Sequence, residues 1–181
     1  MRRFLDRLYA GALALAAATF AAIAVLVLLQ VLGRLLDRAA RALGAPPPGF
    51  TIPSLAEIGG FLFLAAVFLG LAGTFARGGH VRVTLLIRAL PDQIGRWLAA
   101  LVALGAAALA VFSTWSSFLQ LRDSIAFNSV SFGMVEVPLW IPQLVMTLGL
   151  ALFVVALIDA AITLIRGGTP VHDLAESGGV E

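Results

Sequence analysis

The chain has 181 residues, of which 61% are hydrophobic and 12% charged, and its mean hydropathy is +1.03. A soluble domain carries roughly a quarter charged residues, so this composition predicts an integral membrane protein and excludes an ordinary water-facing domain. The formal net charge is +2 and the chain has no lysine, so every cation besides histidine is arginine. The arginines gather at the ends of apolar runs, which suits anionic lipid headgroups better than a nucleic-acid groove. Cysteine is absent, which excludes disulfides, thiolate metal sites and thiol redox chemistry.

The basic start Met1-Arg2-Arg3-Phe4-Leu5-Asp6-Arg7 resembles the n-region of a signal peptide, and Ala14, Ala16 and Ala18 offer small residues for cleavage. The apolar run extends to Leu32, well past the ~7–15 residues of a signal core, so a retained anchor is expected. The first span is placed over 8–33, and its Leu8–Leu32 run would rise roughly 37 Å, enough to cross a bilayer with some tilt. Arg34, Arg38 and Arg41 follow at i, i+4 and i+7, one face of a helix leaving the membrane. Ala45-Pro46-Pro47-Pro48-Gly49 then breaks the helix, and 42–53 reads as a Pro-rich outer loop, the one linker in the chain.

The second span, 55–76, opens on Glu57 and holds Gly59, Gly60, Gly70 and Gly73. Gly70 and Gly73 share a face and have two readings: a notch for a neighbouring helix, or ordinary glycine tolerance in lipid. Arg34 and Glu57 fall at facing ends of the first two spans, and an ion pair bracing that hairpin is the expectation. Arg77-Gly78-Gly79-His80-Val81-Arg82 makes a basic turn. The stretch behind it, ended by Pro91, is too short to cross. His80, Thr84 and Arg88 form a polar stripe in it, so a short interfacial amphipathic helix is expected over 80–90.

Asp92 is the expected N-cap of the third span, 94–121. Arg96 and Trp97 mark its inner edge, and Ala99, Ala103 and Ala107 make a small-residue face. Pro138 is expected to open the fourth span, 138–165, with Pro142 in its first turn and Trp140 at the interface. Asp159 is the one acid embedded in a span. It has two readings, an acid wet at the nearby interface or a partner for another helix or subunit.

The chain thus reads as an all-α integral membrane protein: one four-helix membrane domain over 1–181 with a short interfacial helix between helices two and three. With the N-terminus inside, the inner segments hold Arg2, Arg3, Arg7, Arg77, Arg82, Arg88, Arg96 and Arg166. The outer segments hold Arg34, Arg38, Arg41 and Arg122. That excess puts both termini in the cytoplasm.

No chemistry is visible. The middles of the first three spans contain no ionisable residue, whereas an ion pathway or active site needs one. His80 and His172 lack acidic partners at ligand spacing, so no metal is expected, and no nucleophilic triad, phosphate loop or cofactor motif is present. Gly78-Gly79 has no flanking strand and is a turn. Bracing or completing a larger assembly suits such a chain. The competing readings are a stand-alone small transporter, which lacks its coupling acid; a membrane enzyme, for which Arg122, Asp123 and Glu136 are a poor set; and an assembly subunit of some other complex.

Several blocks together resemble the small membrane subunit (Q subunit, DctQ-like) of tripartite ATP-independent periplasmic (TRAP) transporters. They are Arg34, Ser54-Leu55-Ala56-Glu57, Phe68-Leu69-Gly70, Arg77-Gly78-Gly79-His80-Val81-Arg82-Val83, Leu90-Pro91, and Pro138-Leu139-Trp140-Ile141-Pro142 with Gly149. The likeness runs from about Gln30 to Phe153. It implies a non-catalytic four-helix subunit in a bacterial inner membrane, partnered by a large multi-helix subunit that carries sodium-coupled transport. A periplasmic binding protein would deliver an organic acid, and the small subunit would scaffold and anchor the large one among anionic headgroups. Arg34, Glu57, Gly70, Gly73, Arg77, His80, Arg82, Arg88, Pro91, Trp97, Pro138, Trp140 and Asp159 are the candidate subunit or membrane-interface residues. Thr84 stands where the family commonly has Asp, and the Pro-rich insertion lengthens the first outer loop.

Overall fold

A computed structural model describes residues 2–77 and 91–166. Four helices follow in order: α1 (Arg2–Ala42), α2 (Leu55–Ala76), α3 (Asp92–Ala126) and α4 (Trp140–Ile165). Each is long and apolar enough to cross a membrane. The interfacial helix expected over 80–90 lies outside the described residues.

Two of the helices are much longer than a crossing requires. About 20 residues span the hydrocarbon core, whereas α1 has 41 and α3 has 35. The arginine-bearing segment after Leu32 is therefore a direct helical continuation of α1, and α3 runs past Leu121 through Arg122 and Asp123. α2 and α4 are shorter, at 22 and 26 residues.

α1 packs on α2, α2 on α4, and α4 on α3. The two short helices are thus central and the two long ones flank them. Lipid gives helices no hydrophobic drive to associate, so close approach through small residues must hold them. The buried positions accordingly are mostly alanine and glycine, with Tyr9, Leu121, Pro142 and Leu157 the larger apolar exceptions. Tyr9, Ala72 and Ala156 form one core cluster across α1, α2 and α4. Ala107, Ala110 and Leu157 form a second between α3 and α4. The Phe75 and Phe153 rings meet edge to face at 5.7 Å between α2 and α4.

Glycines set the closest approaches. A Cβ on Gly149 of α4 would stand 2.5 Å from the Phe68 carbonyl oxygen of α2, and one on Gly73 would stand 3.0 Å from both the Tyr9 carbonyl oxygen and Leu13 Cβ of α1. At Gly70 the nearest atom, Ala16 Cβ, would be 3.8 Å away, an ordinary contact. The notch reading therefore holds for Gly73, while Gly70 only faces the same seam.

On α3 the buried positions described are Gly95, Ala100, Ala107, Ala110, Ser117, Leu121 and Ser124. Their spacing is that of a helix seam, and of the face expected at Ala99, Ala103 and Ala107 only Ala107 is buried. Ser117 and Thr147 share a 2.6 Å hydrogen bond across the α3–α4 seam.

Two expectations at helix entrances are corrected. Asp92 does not cap α3. Pro91 holds the cap position with φ −54° and ψ 140°, no side chain caps the helix, and Gly95 N–H donates to the Pro91 carbonyl. Proline's fixed φ and missing N–H suit it to a helix entrance. Pro138 does not open α4, which starts two residues later; it pairs with Val130 in an isolated antiparallel bridge, and Pro142 occupies the first turn.

The Pro-rich segment is no free linker but a strap laid back along α1. Ala45 N–H donates to the Ala40 carbonyl, Gly49 N–H to Asp37 Oδ1 and Ile52 N–H to Gln30 Oε1. Phe50 covers Gly33, where a Cβ would come within 2.7 Å of its ring.

Candidate functional site

The residues with polar or special backbone chemistry gather where the two loops on one side of the bundle meet. Ser54 enters α2 with a left-handed φ of 52°, and its hydroxyl makes no cap. Instead Ser54 Oγ accepts from Val135 N–H at 3.0 Å, joining the entrance of α2 to the loop before α4. That loop is a small hairpin. Ser131 N–H donates to the Val137 carbonyl and Leu139 N–H to the Ser129 carbonyl, while Val137 N–H donates to Ser131 Oγ. Its tip presents Phe132 and Met134 almost fully exposed.

Glu57, in the first turn of α2, lies beneath this hairpin. Its Oε2 is buried without a hydrogen-bond partner among the described residues, and it sits against Gly133, at which any Cβ would collide with it. The first turn of a helix favours an acid through the aligned peptide dipoles, which offsets part of the cost of burying the carboxylate.

The expected Arg34–Glu57 pair does not form. Arg34 is exposed, and the ion pair seen among the described residues is Arg122–Asp123. α1 turns its Gln30–Gly33 face to the strap, and the strap, not an arginine, occupies the space beside the hairpin of helices.

The remaining candidates do not converge into one site. Arg77 ends α2, exposed, with its N–H bonded to the Phe75 carbonyl. Pro91 caps α3, and Trp97 is exposed nearly two turns further on. Trp140 is the first residue of α4 and is partly exposed. Asp159 is half-buried near the far end of α4, and its backbone carbonyl accepts from Thr163 Oγ1. His80, Arg82 and Arg88 lie outside the described residues, as does Thr84. Among the described residues no three His, Asp or Glu side chains come together as a metal set.

Sequence reasoning missed the clamps Gln30, Asp37 and Ser54, and the close approaches at Gly133 and, as a packing contact, Gly149. Gln30 and Asp37 stand two helical turns apart on one face of α1, a pattern visible in the sequence. It gains meaning only once the Pro-rich segment is known to fold back over it. Tyr9 is buried with its hydroxyl unpartnered among the described residues, a placement that a lone aromatic near a helix start does not announce.

Most of the molecule's remaining surface is apolar. Only 11% of the most apolar stretch of α1 and 17% of that of α3 is buried within the chain. Such faces must be covered by lipid or by another protein. No curated protein and no solved structure matches the chain. A family model described as the DctQ component of tripartite ATP-independent periplasmic transporters matches residues 23–167, the greater part of the chain, from the middle of α1 to just beyond the end of α4. The second half of α1 and the whole of α2, α3 and α4 lie in that range with the motifs that resemble the small subunit, and the chain belongs to this family of transporter components.

Proposed function

We propose that this chain is the non-catalytic scaffold of its transporter. It holds and anchors the large membrane subunit, which carries out sodium-coupled uptake of an organic acid handed over by a periplasmic binding protein. The observation that carries the reading is the contrast between thin internal packing and wide apolar faces. α1 packs mainly on α2 and α3 mainly on α4, and both leave most of their apolar side chains outward, open to a partner subunit as well as to lipid. A scaffold requires no embedded coupling ion, and the ionisable side chains of the described helices stand near their ends.

The arginine balance supports an inner-membrane orientation with both termini in the cytoplasm. The hairpin at 128–139 and the strap at 43–53 then face the periplasm, where the binding protein docks. The basic stretch from Arg77 to Arg96 faces the inner leaflet, where each cation near anionic headgroups contributes about 1 kcal/mol of anchoring.

A tagged chain expressed with its neighbouring membrane subunit tests this by co-elution in mild detergent. The reading expects one stable complex, and weakening when exposed α1 or α3 residues such as Leu28 or Phe112 become polar. Elution of this chain alone, with the large subunit stable and active without it, contradicts the reading.

A further inference from the structure

An open groove of about 830 Å³ runs between α1 and α4 over the face of α2. Arg7, Gly11 and Leu15 line it from α1, Leu69 from α2, and Leu148 and Val155 from α4. Its walls are apolar except at the end nearest the N-terminus. There Arg7 stands exposed on one lip. Asp159 is not part of the lining but continues the Leu148–Val155 stripe one turn further along α4, just beyond that end of the groove. It is half-buried and lies within electrostatic reach of the Tyr9 hydroxyl on α1. Neither Arg7 nor Asp159 has an ion-pair partner among the described residues.

The length of the groove identifies its occupant. From Arg7 to Leu15, α1 rises about 12 Å, close to the ~15 Å of one leaflet's hydrocarbon. A crossing helix of a partner subunit would need a seam about twice as long. The charged end sits where a headgroup belongs, with the Arg7 cation on the α1 lip and the Asp159 acid one turn past the lining on α4. Arg matches a phosphate, and a carboxylate across from it matches an ammonium group. We propose that this groove binds one aminophospholipid of the leaflet at the N-terminal side, with its phosphate at Arg7, its ammonium at Asp159 and an acyl chain along Gly11 and Leu148.

The structure also supplies a way to block the site. A Cβ on Gly11 meets nothing within 4 Å, so a larger side chain there enters the groove without disturbing helix packing. The full chain in its membrane complex is purified in mild detergent, exchanged into phosphatidylethanolamine–phosphatidylglycerol nanodiscs, and examined by native mass spectrometry for retained lipid. One phosphatidylethanolamine per chain is expected. Arg7→Gln lowers its retention about fivefold, the worth of one cation near a phosphate. Gly11→Leu abolishes retention, and Asp159→Asn removes the preference for phosphatidylethanolamine over phosphatidylglycerol. Helix content by circular dichroism and intact complex elution qualify each variant, and Arg7→Gln, at an exposed position, serves if Gly11→Leu does not fold. Retention of no lipid, retention unchanged in properly folded Arg7→Gln or Gly11→Leu protein, or preference for phosphatidylglycerol in the unmodified chain overturns the proposal.

Discussion

The carboxylate of Glu57 lies directly against Gly133, so the first turn of α2 and the hairpin before α4 share one contact in which a side chain at 133 has no room. The hairpin is held there from the other side by the bond from Val135 N–H to Ser54 Oγ. Glycine at 133 is thus required by close approach, not by its backbone angles.

Replacing Gly133 with Ala should destabilise the protein by about 1–3 kcal/mol, the usual cost of overpacking. In an Glu57→Ala background the same change should cost less, with a coupling of about 0.5–3 kcal/mol between the two sites. Thermal unfolding of the four proteins of this cycle in detergent measures it. Additive effects would show that the two residues do not meet.

The three interhelical glycines should rank by the room each leaves. Gly149→Ala drives a methyl into the Phe68 backbone and should be the most damaging, at about 1–3 kcal/mol. Gly73→Ala meets Leu13 Cβ and the Tyr9 carbonyl at 3.0 Å and should cost less, because that approach is tight without the overlap found at Gly149. Gly70→Ala should be nearly neutral. Midpoints of thermal unfolding give the order, and Gly70 as the most sensitive position would contradict the packing described.

The strap should loosen when its clamps are removed. Gln30→Leu and Asp37→Ala each delete one hydrogen bond to a strap amide, worth about 0.5–1.5 kcal/mol. Limited proteolysis over 43–53 should become several-fold faster in either variant and faster again in the double variant. Cleavage as slow as in the unaltered protein would mean that the prolines alone order the segment.

The hydroxyl pair Ser117–Thr147 should contribute modestly to the α3–α4 seam. Hydrogen bonds between membrane helices average about 0.6 kcal/mol, and a Ser117→Ala, Thr147→Val cycle should return a coupling near that value. A coupling near zero would show that each hydroxyl is satisfied by its own backbone, as Thr147 already is through the Gln143 carbonyl.

The four crossings were readable in the sequence because apolar length is a local property, and the bilayer fixes the length required. The small-residue logic of the seams was readable in kind but not in register. Ala99 and Ala103 look as suitable as Ala100 and Ala110, and only the partner helix decides which face is covered. The Arg34–Glu57 expectation failed for the same reason. Both residues stand at one end of adjacent helices, but α1 turns the Gln30–Gly33 face toward the strap and leaves Arg34 outside. The strap itself was hidden by its prolines, which announce the end of a helix but not the path taken afterwards. Its course depends on two side-chain oxygens on α1, the Gln30 amide carbonyl and the Asp37 carboxylate, a long-range complementarity that no window along the chain contains. The hairpin lacks regular strands and is closed by serine bonds. Asn128, Gly133 and Pro138 mark it as a loop without fixing where it lands.

Reconstitution into sodium-loaded gradients tests the central claim most directly. Vesicles receive this chain alone, the large subunit alone, or both, each with the binding protein and its organic acid outside. The scaffold account predicts accumulation only where both membrane subunits are present and none from this chain by itself. Accumulation driven by this chain alone, or undiminished transport by the large subunit without it, would contradict the account.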